Sequence, residues 1–341
     1  MKTPKYLSNN TLEMTEYRAS SASRLTAFLL SGAALLLTAC VAPTPTQPAT
    51  IAAPPSALAP LPQAIRAAST TPATDHLPYT VEKHTLPGPV IAYVAKINIA
   101  DPRTKIIVAL NDDRDPDGAG PAVGRLSTTS DAATKHNFHI TMNASFFAAP
   151  VARPYLDKNI RYFVGNGANP VGWHVANGKV ITAPINDKLR ATVMVHTSGK
   201  ITLANNVVEM PADIAYAVSG NAMLLEAAAI LPKATDTVRA PRSAVGISAD
   251  GAMLLLMAVD GRQTGYSVGA SLYELAVILR NLGAHDAVNL DGGGSTAMVL
   301  KDEATGVFSL LNKPSDGSAN KFPQRVERPV VDVIGVRILG R

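Results

Sequence analysis

With one cysteine, Cys40, in 341 residues, the chain is incapable of an intramolecular disulfide, whatever compartment it reaches. Its seven histidines, His76, His84, His136, His139, His174, His196 and His285, show neither H-x-x-x-H nor H-E-x-x-H spacing. That removes the helical zinc motifs and leaves each as a structural histidine. The net charge is +5, but the basic residues are scattered. No Lys/Arg cluster with interleaved aromatics marks a surface that tracks nucleic acid. No apolar run is long enough for a comfortable membrane span; the longest, residues 25–39, falls short of it. The Asp- and Asn-rich stretch 111–125 lacks the glutamate that closes an EF-hand, and reads as a solvated loop.

The N-terminus is more positive evidence. Lys2, Lys5, Arg18 and Arg24 precede the 25–39 run, which ends in Leu37-Thr38-Ala39-Cys40. Basic charge, an apolar run and small residues in that order mark an export signal, and the ending resembles the lipobox of bacterial lipoproteins, whose cysteine is lipidated after cleavage. Residues 1–39 are therefore expected to be a signal peptide and Cys40 the lipid-bearing residue. Residues 41–75 hold eight prolines among Ala, Thr and Gln, too little apolar surface to fold. Residues 40–76 read as a tether, reaching up to roughly 100 Å from a membrane at about 3 Å per residue. Val41, not Asp, follows the cysteine, which leans towards the outer membrane or the periplasmic side of a two-membrane envelope.

Residues 77–341 read as one α+β domain, with a mixed β-sheet core and a few packed helices. Two β-branched runs within 90–110 flank Asp101-Pro102-Arg103-Thr104 and suggest a hairpin. A short helix is expected over 130–136 and a strand over 138–142 ending at Asn143. Turn signals at Asn166-Gly167, Asn177-Gly178 and Ser198-Gly199 suggest a meander over 164–208, carrying Trp173 either as a core residue or as a sugar-stacking one. Residues 252–259 are apolar without alternation, the pattern of a strand buried on both faces. Ser271 and Glu274 form a capping box, Leu272, Leu275, Ala276, Leu279 and Leu282 share one helical face, and Gly283 stops the helix. A buried strand over 287–290 follows, then shorter ones near 297–300 and 330–338.

That strand runs into Asp291-Gly292-Gly293-Gly294-Ser295-Thr296. Three adjacent glycines maximise the entropy lost on folding, so they are expected where the backbone approaches a ligand, and their amides form a candidate anion cradle. Nucleotide readings fail on context. A Walker loop needs a lysine that is absent, and a Rossmann turn needs a following helix. A serine elbow needs a glycine where Ala297 stands.

Five segments, the glycine segment among them, stand in order: Arg242-Ser243-Ala244-Val245-Gly246-Ile247, Val259-Asp260-Gly261-Arg262, Asn289 to Ser295, Asn312-Lys313-Pro314-Ser315-Asp316-Gly317 and Glu327-Arg328-Pro329-Val330. In this order and rough spacing they resemble the phosphodiester glycosidase family, over residues 90–341 and most strongly from Arg242 onward. One departure is Asn143-Ala144-Ser145-Phe146-Phe147, where the family usually has Asn-Gly-Gly before its aromatics.

The resemblance implies cleavage of a sugar-1-phosphodiester at the anomeric carbon, releasing the sugar and leaving a phosphomonoester. Such chemistry needs a carboxylate near that carbon and donors on the phosphate. Asp291 is the candidate carboxylate, as nucleophile or as base for water, against the plainer role of a turn cap. Glu327 is a candidate second carboxylate or one half of a structural pair. Arg242 and Arg328 are candidate phosphate clamps, or ordinary ion-pair partners. Gly292, Gly293, Gly294 and Ser295 are candidates to hold the phosphate or a sugar hydroxyl, and Asn143 to orient one. Asp260 and Asp316 are equally ligands or turn formers. The sequence requires no cofactor and leaves a divalent cation open. The other readings are a carbohydrate-binding envelope lipoprotein without turnover, and a glycosidase acting on non-phosphorylated glycans.

Overall fold

The apolar run that ends before Asp260 forms the strand Met253–Val259, and both its faces are buried. Leu254, Leu256 and Ala258 point into the main core, while Leu255, Met257 and Val259 face a helix. This alternation around a continuous apolar run is what burial on both sides requires. The description rests on a computed structural model and covers residues 76–340 except 115–119, 151–152, 156–157, 186–190, 234 and 317–325. The expected signal peptide, Cys40 and all but the last residue of the expected tether lie outside the described residues. The described part belongs to one compact unit, Ala59–Arg341.

Strands dominate, with two α-helices among the described residues, so the expected α+β domain carries fewer helices than that label suggests. In the seven-stranded sheet the order is Tyr79–Leu86, Val90–Asn98, Met253–Val259, Arg242–Ile247, Asp286–Asn289, Ala222–Glu226, Ala229–Ile230. A second sheet of five strands runs Lys179–Thr182, His174–Ala176, Ile214–Gly220, Ala191–His196, Ile201–Ala204. A third, also of five, runs Phe308–Leu310, Met298–Lys301, Ile140–Asn143, Asp332–Ile338, Thr104–Leu110. One core takes residues from all three: Val245, Leu256 and Val288 from the first, Val193 and Val218 from the second, Met142, Met298 and Ile334 from the third.

Helix α2, Leu272–Asn281, covers the other face of the seven-stranded sheet with Leu275, Ala276, Ile278 and Leu279. Each such leucine stabilises the fold by about 1.5–3 kcal/mol. Its capping box is complete: Ser271 Oγ accepts from Glu274 N, and Glu274 accepts from Ser271 N. Gly283, at φ +99°, ends it as expected. Met253–Val259 and Asp286–Asn289, joined through α2, are separated in the sheet by Arg242–Ile247, which is antiparallel to both. Helix α1, Thr129–His136, packs Ala132 beside Phe138 and Val333 of the third sheet.

The expected hairpin over 90–110 does not form. Val90–Asn98 pairs with Tyr79–Leu86 and Met253–Val259, while Thr104–Leu110 pairs with Asp332–Ile338 in another sheet. Asp101 and Thr104 do make the turn, with Thr104 N donating to Asp101 O and Thr104 Oγ1 to Asn98 O. That turn is a corner between sheets. Local turn residues specify a change of direction, and distant apolar strands decide the partners. The turns at Asn177-Gly178 and Ser198-Gly199 are present, with Asn177, Gly178 and Gly199 at positive φ. Ile214–Gly220, however, inserts between the two hairpins they close. Trp173 is core: it is buried, and its indole N–H donates to Val207 O.

Candidate active site

Asp291 lies where strands of two sheets end side by side. Leu290 N donates to Ser243 O of the seven-stranded sheet, and Asp291 N donates to Ala144 O, just past the end of the Ile140–Asn143 strand. Asn143 fixes this junction. Its side-chain amide donates to Asp291 O at 2.7 Å, and its oxygen accepts from Ser243 Oγ at 2.7 Å and Ala297 N at 3.1 Å. At 1 % exposure, Asn143 is a positioning residue for Asp291 and is not turned outward to a sugar hydroxyl.

Asp291 as a residue is partly exposed, while its carboxylate is closely surrounded. Burial pushes its pKa up to about 6. The hydroxyl of Ser295, the charge of Arg328 and the amide of Gly292 oppose that rise, and the Asp332 carboxylate adds to it. A carboxylate poised near neutrality is suited to accept a proton at working pH.

The three glycines serve close approach more than amide donation. Gly293 N donates to Pro241 O, Ser295 N to Gly292 O, and the Gly292 amide to Asp291 itself. A Cβ on Gly292 would stand 2.6 Å from Pro241 O, and one on Gly294 would stand 2.3 Å from Asp316 Oδ1 and 2.4 Å from Arg328 Nη2. Gly293 takes φ +63°, and a Cβ there would sit 3.1 Å from Arg262 Nη1. The expected amide cradle is thus occupied by protein groups at three positions, and the glycines instead let arginine side chains lie against the backbone.

Arg328 is at this centre. Its Nε and Nη2 donate to the two oxygens of Asp316 at 2.7 and 2.9 Å, Nη1 reaches Ser295 Oγ at 3.5 Å, and its guanidinium lies 4.3 Å from the ring centre of Tyr162. Tyr162 is 41 % exposed and packs edge-on against Phe147. An aromatic pair thus borders the site, where the sequence had offered Trp173.

Glu327 and Arg242 are engaged elsewhere. Glu327 accepts from Ser130 N at 2.9 Å and Ser130 Oγ at 2.7 Å, capping the first turn of α1. Burial raises its pKa against those donors. Its adjacency to Arg328 makes it an anchor for the segment that carries that arginine. Arg242 donates through Nε to Ala270 O and through Nη2 to Val238 O. Burial lowers its pKa, Asp236 opposes this, and Arg262 lowers it further. Asp260, 1 % exposed, accepts from Tyr266 Oη, Asn312 Nδ2 and Lys313 N, tying together the loops that follow it and that hold Asp316. Burial raises its pKa and these donors lower it. It organises the loops through protein partners.

Two features escaped the sequence reading. Asp332, fully buried, accepts from Ser145 N, from Ser145 Oγ and at 2.8 Å from His174 Nδ1, and its carbonyl accepts from Ala144 N beside Asp291. The available signal was one acid inside the run Val330-Val331-Asp332-Val333-Ile334, since charge in a buried strand is rare without a partner. Arg262, at φ +58°, is the second. Among the described residues, no group of three or more His, Cys, Asp or Glu side chains is placed to hold a metal ion.

No curated protein matches the chain. Among solved structures, the chain is similar to the catalytic domain of zebrafish N-acetylglucosamine-1-phosphodiester α-N-acetylglucosaminidase, described as auto-inhibited by its pro-peptide. The identity is 20 % and the TM-score 0.55, covering 81 % of this chain and 87 % of that one. A hypothetical protein from Synechocystis aligns at 17 % identity and TM-score 0.49, over 76 % of this chain and 62 % of that one. The family profile described as phosphodiester glycosidase matches residues 136–337, a span that holds Asn143, Asp291, Arg328 and Asp332, and the chain belongs to that family.

Proposed function

We propose that the protein hydrolyses a glycosyl phosphodiester at the anomeric carbon, releasing the sugar and leaving a phosphomonoester. The observation that carries this reading is Asp291: burial raises its carboxyl pKa to about 6, Asn143 and Ala144 hold its backbone, and an arginine-lined glycine segment follows it. A phosphate leaving group is already a weak base, so departure needs little help from a general acid. One carboxylate and a cationic surround then suffice. In the proposed reaction Asp291 gives its electron pair either to the anomeric carbon or to a proton of the attacking water. The C1–O bond breaks with its electrons going to the phosphate oxygen, and water supplies the new hydroxyl of the sugar. Both roles need Asp291 ionised.

The experiment is turnover of a panel of sugar-1-phosphodiesters beside the matching non-phosphorylated glycosides. The expected result is equimolar sugar and phosphomonoester from at least one diester, with kcat/KM falling below about pH 6. Glycan binding without release would contradict the enzyme reading. Turnover of neutral glycosides alone would contradict the phosphodiester one.

The N-terminal reading belongs to the same proposal: export, lipidation at Cys40, and a proline-rich tether that places the domain in the cell envelope. Its support is the order of charge, apolar run and Leu37-Thr38-Ala39-Cys40. The full-length protein is expected in the membrane fraction of its host and Cys40→Ser in the soluble fraction; equal partition of the two would contradict lipidation.

A further inference from the structure

Three arginines meet the glycine segment, Arg262 and Arg328 through their guanidinium groups and Arg242 through its backbone, and two of them already have protein partners. Arg328 is held by both oxygens of Asp316, and Arg242 by the carbonyls of Ala270 and Val238. Arg262 differs. Its side chain is exposed and its guanidinium makes no hydrogen bond or ion pair among the described residues. Both its terminal nitrogens lie against Gly293, at 3.1 and 3.3 Å from where a Cβ would stand. Gly293 is two residues from Asp291.

The backbone at Arg262 is left-handed, φ +58°, a conformation that costs a non-glycine residue about 1–3 kcal/mol and is retained where the surroundings or the function require it. Packing of an exposed side chain returns little of that. The loop around it is nonetheless rigid. Asp260 is fixed by three donors, Gln263 Nε2 donates to Lys313 O, Ser267 Oγ donates to Asp260 O, and Ala240 and Ala270 bridge across its base. A Cβ on Gly261 would fall 2.6 Å from Pro241 N, so the chain there is seated directly on its neighbour. The loop therefore presents, against the glycine segment that follows Asp291, a cation with no side-chain partner among the described residues. A second cation, Arg242, is close enough to feel its charge, a repulsion that an anion between them relieves.

We propose that Arg262 is the residue that selects phosphodiesters, its planar fork holding the two non-bridging oxygens of the substrate phosphate beside Asp291. The inference rests on the reading of this site as a phosphodiester glycosidase. It assigns the phosphate to an arginine that, among the described residues, neither caps a loop nor pairs with an acid. A neutral glycoside offers that fork no anion, so Arg262 discriminates by charge as well as by shape.

The test compares the unmutated protein with Arg262→Gly and Arg262→Lys, using inorganic phosphate as the probe in calorimetric titration, turnover of a sugar-1-phosphodiester, and thermal melting. Arg262→Gly is expected to weaken phosphate binding about 10- to 100-fold and to lower kcat/KM for the diester at least as much. Its melting temperature should be unchanged or higher, because glycine relaxes the left-handed backbone. Arg262→Lys is expected to recover only part of the affinity, as a point charge without the fork. Phosphate affinity within about twofold in Arg262→Gly, no measurable phosphate affinity in the unmutated protein, or a lowered melting temperature would each overturn the assignment. Absence of turnover in the unmutated protein, together with phosphate binding that Arg262→Gly removes, would overturn the glycosidase reading and leave Arg262 as an anion site.

Discussion

Asp291→Asn is expected to reduce turnover of a sugar-1-phosphodiester by about 10²- to 10⁴-fold, the range for loss of a positioned base or acid, while leaving the folded protein more stable above pH 6. The carboxyl is raised from 3.8 to about 6 by burial, so the folded state binds this proton more tightly than the unfolded state. Its contribution to stability is complete below about pH 3.8 and is lost as pH rises through 6. A shift of this size corresponds to about 2–3 kcal/mol. Asparagine has the same shape and no charge to desolvate. The stability difference between variant and unmutated protein should therefore grow by about 2–3 kcal/mol between pH 4 and pH 8, read by urea unfolding at each pH. Any fixed cost of the amide meeting Gly292 N–H appears equally at every pH and does not enter the slope. A pH-independent difference would mean that Asp291 is not held in the environment described, and retained turnover would remove it from the chemistry.

Asp332→Ala is expected to destabilise the protein by about 3–5 kcal/mol, since each buried donor left without its acceptor costs about 1–3 kcal/mol. Three donors lose their acceptor at once: Ser145 N, Ser145 Oγ and His174 Nδ1. All are buried, and His174 Nε2 already has no partner among the described residues, so the imidazole would be left with neither nitrogen satisfied. Against a total stability of about 5–15 kcal/mol this is a large fraction. The variant should unfold at much lower urea, with its m-value unchanged. Removing the Asp332 charge also removes one of the influences that raise Asp291, so the acid limb of the surviving activity should move to lower pH. A loss under about 1 kcal/mol would indicate that the network relaxes freely, and that its place behind the site is incidental.

The parts of this fold that could be read from sequence are those whose signal is local. The capping box at Ser271 and Glu274, the helical face of Leu275 and Leu279, and the unbroken apolar run before Asp260 each determine their own structure within about a dozen residues. The pairing of Val90–Asn98 and Thr104–Leu110 depended on strands more than a hundred residues away, and a good turn sequence between them carried no information about that. The site divides in the same way. Asp291 and its glycines are contiguous and stood out. Whether Glu327 faces a substrate or the first turn of α1 is decided by Ser130, nearly two hundred positions earlier, and whether an arginine is free is decided by whichever acid or carbonyl the fold brings to it. Arg242, Arg262 and Arg328 are alike in sequence. Asp316, Ala270 and Val238 make two of them structural partners, and the third has no side-chain partner among the described residues.

Hydrolysis of a sugar-1-phosphodiester in ¹⁸O-labelled water tests attack at the anomeric carbon most directly. With Asp291 serving the anomeric carbon, the label enters the C1 hydroxyl of the released sugar, and the phosphomonoester carries none. Label in the phosphate would show that the P–O bond is the one broken, and would contradict the account.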